Sequence, residues 1–285
     1  MPLSSWPNLL MPPGAMGWVM PQLAHITVMQ VLLFAVVGLV IGSFLNVLIY
    51  RLPIMILSSD ALTAPFNLHT PRSHCPTCQQ ALQWHALIPV FSYAIAKGRC
   101  RHCGAVISWR YPFIEIATSV LFTLCLLKFG WTAQAWMACF FAAALLALAW
   151  IDAETFLLPD VLTQALLWVG LIGSAMSLTP TPLMQALSGA VLGYSILWAV
   201  GWAFQTWSGK DGMGQGDLKL LAALGAWVGV WSLLPLLLLA SVSGLIFGLV
   251  QKMRGQLGHN GYFAFGPFLA LSGFACFFLG ISMGV

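Results

Sequence analysis

Charged side chains are scarce in this sequence. Only 6% of its 285 residues are Asp, Glu, Lys or Arg, whereas 60% are hydrophobic. A soluble domain has roughly a quarter of its residues charged. The scarcity excludes an ordinary soluble domain and indicates a membrane protein, in which each of the seven acidic residues is a candidate for function because a carboxylate at the bilayer is costly.

Long apolar runs occupy most of the chain. A helix needs about 20 residues to cross the hydrocarbon core, and a single span in lipid must satisfy its own backbone hydrogen bonds. The sequence therefore predicts an all-α polytopic fold with about eight transmembrane helices. The runs lie at approximately 26–50, 112–128, 133–151, 161–178, 183–204, 218–231, 233–250 and 263–283.

The first 25 residues lack the basic segment of a signal peptide and contain five prolines, so they are predicted to form an irregular tail before an uncleaved first span. Under the eight-span count, all Lys and Arg residues except Lys128 fall in alternate loops, at 51–111, 152–160, 205–219 and 251–262. Cytoplasmic loops retain such residues. The pattern predicts cytoplasmic loops and both termini outside, and the net charge of +4 gives no reason to invoke nucleic acid.

Two cysteine pairs lie in the longest polar loop, "CPTC" at 75–78 and "CRHC" at 100–103. The C-x2-C-x21-C-x2-C array is just beyond the usual zinc-ribbon spacing. In a reducing cytoplasm such pairs favour metal over disulfides. The array predicts a zinc-ribbon-like loop with ligands Cys75, Cys78, Cys100 and Cys103, and the alternative is a pair of adventitious or redox motifs.

Two aspartates lie at span ends on the predicted cytoplasmic face. Asp152 closes the third run in "LAWIDAETFLLPD", and Asp217 opens the sixth in "GMGQGDLKL". If the helix ends pack together, repulsion and desolvation let the pair hold a single proton, as in an aspartic protease. One carboxylate then takes a proton from water while the other polarises the scissile carbonyl.

Alternating glycines precede the second aspartate. Gly212, Gly214 and Gly216 lie in "GKDGMGQGDLKL", and glycine permits close approach of a backbone or an extended substrate. The spacing matches neither a P-loop nor a dinucleotide fingerprint. The glycines predict a turn that holds a peptide against Asp217, and the alternative for Asp217 is an N-cap of the sixth helix.

The ordered set of motifs resembles the type IV prepilin leader peptidases, bifunctional peptidase/N-methyltransferases of pilus and type II secretion systems and GxGD-type intramembrane aspartic proteases. The matching pieces are "GSFLNVLIYRLP" (42–53), the two CxxC pairs, "GRCRHCGAVISWRYPFIE" (98–115), "IDAETFLLPD" (151–160) and "GMGQGDLKLLAALGAW" (212–227). The resemblance implies catalysis by Asp152 and Asp217 and a cytoplasmic tetrad at the four cysteines of the loop.

The resemblance also relates part of the chain to methyl transfer. Gly98 and the stretch from Asn46 to Arg51 match that region of the family, and Glu115 either belongs to it or pairs with Arg110. Among the remaining acids, Glu154 is interpreted as a solvated charge and Asp160 as a helix-start residue. Lys219, two residues from Asp217, lies off the helical face of that residue.

The implied organisation is an outer tail (1–25), a first transmembrane helix (26–50), a cytoplasmic cysteine-rich loop associated with methyl transfer (51–111) and a membrane aspartic peptidase domain (112–285). The implied location is the bacterial inner membrane. The implied substrates are prepilins or pseudopilins, cleaved after a basic leader and then N-methylated from S-adenosylmethionine, with zinc as the second cofactor. An ion-coupled transporter with paired aspartates and a peptidase without methyl transfer are the alternatives.

Overall fold

The computed structural model describes residues 26–57, 66–83, 87–209, 214–254 and 263–281. These ranges form α-helices joined by short connections, and they contain no β-strand, only two isolated β-bridges in the cysteine loop. The helices are α1 (Val28–Leu57), α2 (Phe91–Ile95), α3 (Arg110–Phe129), α4 (Ala133–Thr155), α5 (Asp160–Ala175), α6 (Leu183–Ser208), α7 (Gln215–Val228), α8 (Leu233–Met253) and α9 (Gly266–Leu279).

Each of the eight predicted apolar runs coincides with one helix of at least 14 residues, so the all-α membrane fold is confirmed. Five helices are long and apolar enough to cross a bilayer: α1, α3, α4, α6 and the segment that includes α8. By contrast, α5, α7 and α9 have 16, 14 and 14 residues. At 1.5 Å per residue, 14 residues extend only about 21 Å, which is less than the roughly 30 Å hydrocarbon core. Eight full spans therefore remain a prediction.

Proline and glycine set the breaks between the later helices. Pro182, at the end of "LTPTP", directly precedes α6, and Pro159 precedes α5. At the end of α7, Gly229 adopts a φ of 78° and leads into a 3-10 turn at Val230–Ser232 before α8. These breaks separate the apolar runs predicted at 161–178 and 183–204, and those at 218–231 and 233–250.

Helix α7 lies among α5, α6 and α9. Its fully buried Trp227 donates a hydrogen bond from Nε1 to the Leu166 carbonyl of α5 at 2.8 Å. The indole also packs on Phe141 of α4, with ring centroids 4.7 Å apart, and on Phe277 of α9 at 5.8 Å. This single side chain fixes α7 against three neighbours, and thereby fixes the helix whose first turn carries Asp217.

Helices α6 and α7 approach each other backbone to backbone. A Cβ added to Gly189 would overlap the carbonyl oxygen of Gly225, and a Cβ at Gly225 would overlap the carbonyl of Gly189. Side chains at these two positions would separate the helices. The pair belongs to the small-residue contacts on which packing between membrane helices depends.

Candidate active site

Asp152 lies in the last turn of α4 and is 5% exposed. The helix ends three residues later, where Phe156 adopts a left-handed conformation and its N–H bonds to the carbonyl of Asp152. The Asp152 side chain accepts a hydrogen bond at Oδ2 from the backbone N–H of Gly266, at 2.9 Å. The first residue of α9 therefore contacts this carboxylate directly.

Asp217 lies in the first turn of α7 and is partly exposed. Its carboxylate interacts electrostatically with that of Asp152, which lies 65 positions earlier in the chain. The adjacent Gly216 packs on Leu158, which follows the end of α4, so the ends of the two helices lie close together. The N-cap of α7 is Gly214, with no side chain capping the helix. The alternative in which Asp217 serves as the N-cap is therefore wrong.

The glycine turn lies partly within the described residues. Gly212 is outside them. Among the described residues, only Asp217 Oδ2 lies within 4 Å of a Cβ added to Gly214, at 3.7 Å. Gly216 packs on Leu158, and an added Cβ would lie 2.7 Å from that side chain. Gly214 thus lies beside the Asp217 carboxylate, whereas the need for glycine at 216 is explained by packing.

The acids around the pair have partners that sequence spacing does not reveal. Glu154 accepts from Arg110 Nη1 at 2.6 Å and from Trp150 Nε1 at 2.7 Å. Glu154 is exposed, as expected of a solvated charge, and it is also paired with Arg110. An Arg110 pairing with Glu115 is wrong, because Arg110 pairs with Glu154 across the α3–α4 contact. Arg110 and Glu154 are 44 positions apart, so the local sequence around either residue does not predict the ion pair.

A second ion pair joins the first turns of α5 and α7. Lys219 Nζ lies 2.7 Å from Asp160 Oδ1. The helix-start position of Asp160 is confirmed, because α5 begins at this residue after Pro159. Lys219 pairs with Asp160, so no Lys or Arg among the described residues forms an ion pair with Asp217, in agreement with the predicted position of Lys219 off the face of Asp217.

The four cysteines of the loop converge. Their sulfur atoms all lie within 4.8 Å of one another, and Cys75 Sγ is 3.9 Å from Cys103 Sγ. Four thiolates around one zinc at about 2.3 Å lie about 3.8 Å apart in a tetrahedral site. The donor set and its spacing therefore fit zinc.

The two cysteine pairs lie on turns with the same hydrogen-bond pattern. The N–H of Cys75 bonds to the Gln80 carbonyl, and that of Gln79 to the Cys75 carbonyl. Twenty-five residues later the pattern recurs, from Cys100 to the Ala105 carbonyl and from Gly104 to the Cys100 carbonyl. Each first cysteine thus occupies an equivalent position in one of two matching turns.

Backbone dipoles in these turns favour thiolates. The N–H groups of Cys78 and Thr77 lower the pKa of the Cys75 thiol to about 6. At Cys100, the N–H groups of Cys103 and His102 likewise lower the pKa. Metal ligands must be deprotonated, so each turn favours the thiolate at the first cysteine of its pair. At Cys103, by contrast, burial and the neighbouring thiols raise the pKa to about 11.

The residues related by resemblance to methyl transfer lie around the contact between α1 and α3. Asn46 is 3% exposed and donates from Nδ2 to the Tyr111 carbonyl at 3.1 Å, while its Oδ1 is buried without a partner among the described residues. Glu115 of α3 is also buried and accepts the N–H of Val90 at 2.7 Å. A buried acceptor with no donor is unusual.

The other two of these residues shape the polar loop. Arg51 is buried and donates to the carbonyls of Asn67 and Pro71, at 2.8 and 2.6 Å, which ties the loop to α1. Gly98 has a φ of 67°, and an added Cβ would lie 2.9 Å from the Tyr93 hydroxyl. The structure groups Asn46 and Glu115 at one helix contact and places Gly98 at the start of the second cysteine turn.

Gly266 is the contact that sequence reasoning missed. The dipeptide Gly266-Pro267 at the beginning of an apolar run is a helix-start signal, and it predicts a boundary without predicting a partner for Asp152. The two residues are 114 positions apart, so only the folded structure reveals the hydrogen bond.

Two family models match consecutive parts of the chain. The model of the bacterial peptidase A24 N-terminal domain matches residues 36–129, and that of the type IV leader peptidase family matches residues 139–249. The two matched ranges cover α1 to α4 and the later helices up to most of α8, and α9 lies beyond both.

Several curated relatives align over nearly the whole chain. A protein of Burkholderia pseudomallei (strain 1026b) is 45% identical over 89% of this chain and 87% of its own length. A protein of Neisseria gonorrhoeae is 40% identical over 90% of this chain and 93% of its own length. A protein of Dickeya chrysanthemi is 45% identical over 83% of this chain and 88% of its own length. Each carries the name prepilin leader peptidase/N-methyltransferase. No solved structure matches the chain significantly.

Proposed function

The chain belongs to the type IV leader peptidase family, whose relatives are prepilin leader peptidase/N-methyltransferases, and we propose that Asp152 and Asp217 are the carboxylates with which it cleaves prepilins. The observation that carries this assignment is the convergence of the two aspartates at the ends of α4 and α7. In contrast, Glu154 and Asp160 are engaged in ion pairs. The pair at 152 and 217 is thus available for acid/base chemistry.

Cleavage uses one proton shared by the pair. As water adds to the scissile carbonyl, one aspartate takes a proton from the water and the other gives its proton to the carbonyl oxygen. The resulting diol collapses when the C–N bond breaks, the departing nitrogen receives a proton from the first aspartate, and the second aspartate regains one from a hydroxyl. Atoms and charge balance without a covalent enzyme intermediate.

The substrate we propose is a prepilin or pseudopilin with a basic leader and a following apolar helix. The bilayer would align that helix beside α4 and α7, and the backbone at Gly214, next to Asp217 Oδ2, would contact the extended segment that is cut. This places the pair at the cytoplasmic face of a bacterial inner membrane with both termini outside, in agreement with the distribution of Lys and Arg.

Methyl transfer is proposed for the part of the chain before the peptidase helices. We assign it to the cysteine loop (51–111) with Asn46, Arg51, Gly98 and Glu115, and we assign the peptidase to 112–285. The unpartnered Oδ1 of Asn46 near the buried Glu115 supports binding of a donor-rich or cationic group there. S-adenosylmethionine, the donor implied by the relatives' name, supplies an electrophilic methyl group for a neutral amine.

Zinc completes the proposal for the loop. The sulfur atoms of Cys75, Cys78, Cys100 and Cys103 would hold it, and coordination would keep the two turns together. The loop is joined to α1 by Arg51, and so the metal stabilises the region that includes Gly98. The other two interpretations, a transporter and a peptidase without methyl transfer, receive no support from the relatives.

The decisive experiment uses purified protein and a synthetic prepilin. The two are incubated with and without S-adenosylmethionine, and the N-terminus of the product is sequenced. We expect leader removal in both reactions and a methylated N-terminus only with the methyl donor. Leader removal without methylation in the presence of the donor would contradict the second activity, and an intact prepilin would contradict the first.

A further inference from the structure

Gly266, the first residue of α9, contacts the carboxylate of Asp152 and lies outside both matched family ranges. The N–H of Gly266 donates to Asp152 Oδ2 at 2.9 Å, and Asp152 is almost fully buried. The fit is close, because a Cβ added to Gly266 would lie 2.6 Å from this oxygen and 3.2 Å from the Asp152 Cβ. Glycine is required here by the proximity of the carboxylate.

We propose that Gly266 is a positioning residue for proteolysis: its N–H holds Asp152 as the charged member of the pair, and Asp217 carries the proton. The two aspartates then have fixed and different roles. Asp152 takes the proton from water, and Asp217 gives its proton to the scissile carbonyl. This inference rests on the proposed function, which assigns the pair to prepilin cleavage.

The first argument is the direction of the hydrogen bond. A backbone N–H only donates, and donation to a carboxylate is roughly twice as strong as donation to a neutral acceptor. Gly266 also begins α9, so its N–H has no partner within the helix and lies at the positive end of the helix dipole. Both features favour negative charge on Asp152.

The second argument is the contrast with Asp217. Within the ranges that the structure describes, no hydrogen bond reaches the carboxylate of Asp217, and its own N–H bonds to the Gly214 carbonyl. Its carboxylate interacts with that of Asp152, which disfavours a second negative charge. One member of the pair is thus provided with a donor, and the other is left as the natural holder of the proton.

Few other charged groups lie on the helices around the pair, and two of them, Lys252 and Arg254, lie at the end of α8, which packs on α9. Helix α9 carries no Asp, Glu, Lys or Arg. Arg110 pairs with Glu154, and Lys219 pairs with Asp160. Arg51 donates to the carbonyls of Asn67 and Pro71, and Glu115 accepts the N–H of Val90. Lys128 lies at the opposite end of α3 from Arg110. Asp217 is left as the titratable group that acts on Asp152.

The test removes the N–H without adding an atom. Replacing the glycine at 266 by glycolic acid during cell-free synthesis turns the amide into an ester, which cannot donate. Gly266→Ala is measured beside it because alanine keeps the N–H and pushes a methyl group against the carboxylate. The matched control is Gly201→Ala in α6, where an added Cβ meets nothing within 4 Å. Each protein is assayed for prepilin cleavage over a pH series, and for methylation of a pre-cleaved peptide as a check of folding.

Loss of a hydrogen bond to a charged group should lower kcat by roughly 10- to 100-fold in the ester variant. The acidic limb of kcat should move to higher pH, because the carboxylate that must be charged has lost a donor. Gly266→Ala should lower kcat by at least about tenfold with KM little changed. The Gly201→Ala control and the methylation of all variants should remain like those of the wild type.

An acidic limb that does not move in the ester variant overturns the inference, even if kcat falls, because a merely structural role would leave the limb in place. Cleavage by Gly266→Ala at the wild-type rate overturns it as well. Neither result touches the proposed function, which fails separately if the wild-type protein leaves the prepilin intact.

Discussion

Removal of either carboxylate of the pair should abolish cleavage while sparing the fold. In Asp152→Asn, the amide oxygen can still accept the Gly266 N–H, so the shape of the site is retained. The amide cannot take a proton from water. In Asp217→Asn, no hydrogen bond from the described residues to the side chain is lost, and the residue is only partly buried. The change at each position is therefore one of chemistry, with little cost to packing.

The expected magnitude follows from the role. General acid/base catalysis contributes about 10²- to 10⁴-fold to the rate, and loss of one carboxylate also removes the proton sharing within the pair. Each single variant should therefore lose at least about 10³-fold in kcat, or about 4 kcal/mol of transition-state stabilisation. The double variant should be within about tenfold of the singles, because residues that act as a unit are not additive. Asp160→Asn is the matched control, since its exposed ion pair with Lys219 contributes only about 0–1 kcal/mol.

The assay is single-turnover cleavage of a synthetic prepilin by protein purified in detergent. Folding of each variant is checked by its thermal unfolding midpoint. Cleavage by a folded Asp217→Asn protein at more than a tenth of the wild-type rate would refute the reasoning, and so would a loss in Asp160→Asn as large as in the pair. Multiplicative losses in the double variant would refute the shared proton.

Three further results are expected. Metal analysis should find one zinc per chain, and Cys75→Ser should make the loop more sensitive to limited proteolysis, because coordination contributes on the order of 10 kcal/mol; a protein free of zinc and iron would contradict this. Folded variants at the two aspartates should still methylate a pre-cleaved peptide, whereas Gly98→Ala should impair methylation more than cleavage; loss of both activities in the aspartate variants would favour a single site. Gly189→Ala should destabilise the protein by about 1–3 kcal/mol in thermal unfolding, because the methyl group meets the backbone of α7, while Gly201→Ala should be neutral; equal midpoints would contradict the close helix contact.

Local patterns predicted the helices and the clustering of the four loop cysteines. The length of an apolar run can be read directly from the sequence. Two cysteines at i and i+3 lie on one local turn, whose formation depends on neighbouring residues. The sequence therefore indicated every long helix and the convergence of Cys75 and Cys100. The run at 218–231 already has the 14 residues of α7. The runs at 161–178 and 263–283 are longer than α5 and α9, because the ends of a helix depend on caps such as Gly280.

The spacing of residues in the sequence could not predict contacts between helices that are far apart in the chain. Glu154 was interpreted as a solvated charge because it lies two residues beyond Asp152. It is exposed, but its ion pair with Arg110 of α3 could not be predicted from that spacing. The roles of Gly212, Gly214 and Gly216 were inferred as a group, but packing on Leu158 explains the last of them. The aspartate pair was proposed from topology, and its tie to Gly266 required the position of α9.

The hydrogen bond between Gly266 and Asp152 also has a consequence for biosynthesis. The two residues are separated by 114 positions, and α9 is the last of the described helices to leave the ribosome. At about 5–20 residues per second, Asp152 enters the membrane several seconds before its donor exists. Under the proposed assignment, the nascent chain would therefore lack the donor to Asp152 until α9 has docked, and we expect protease activity to begin only after that step.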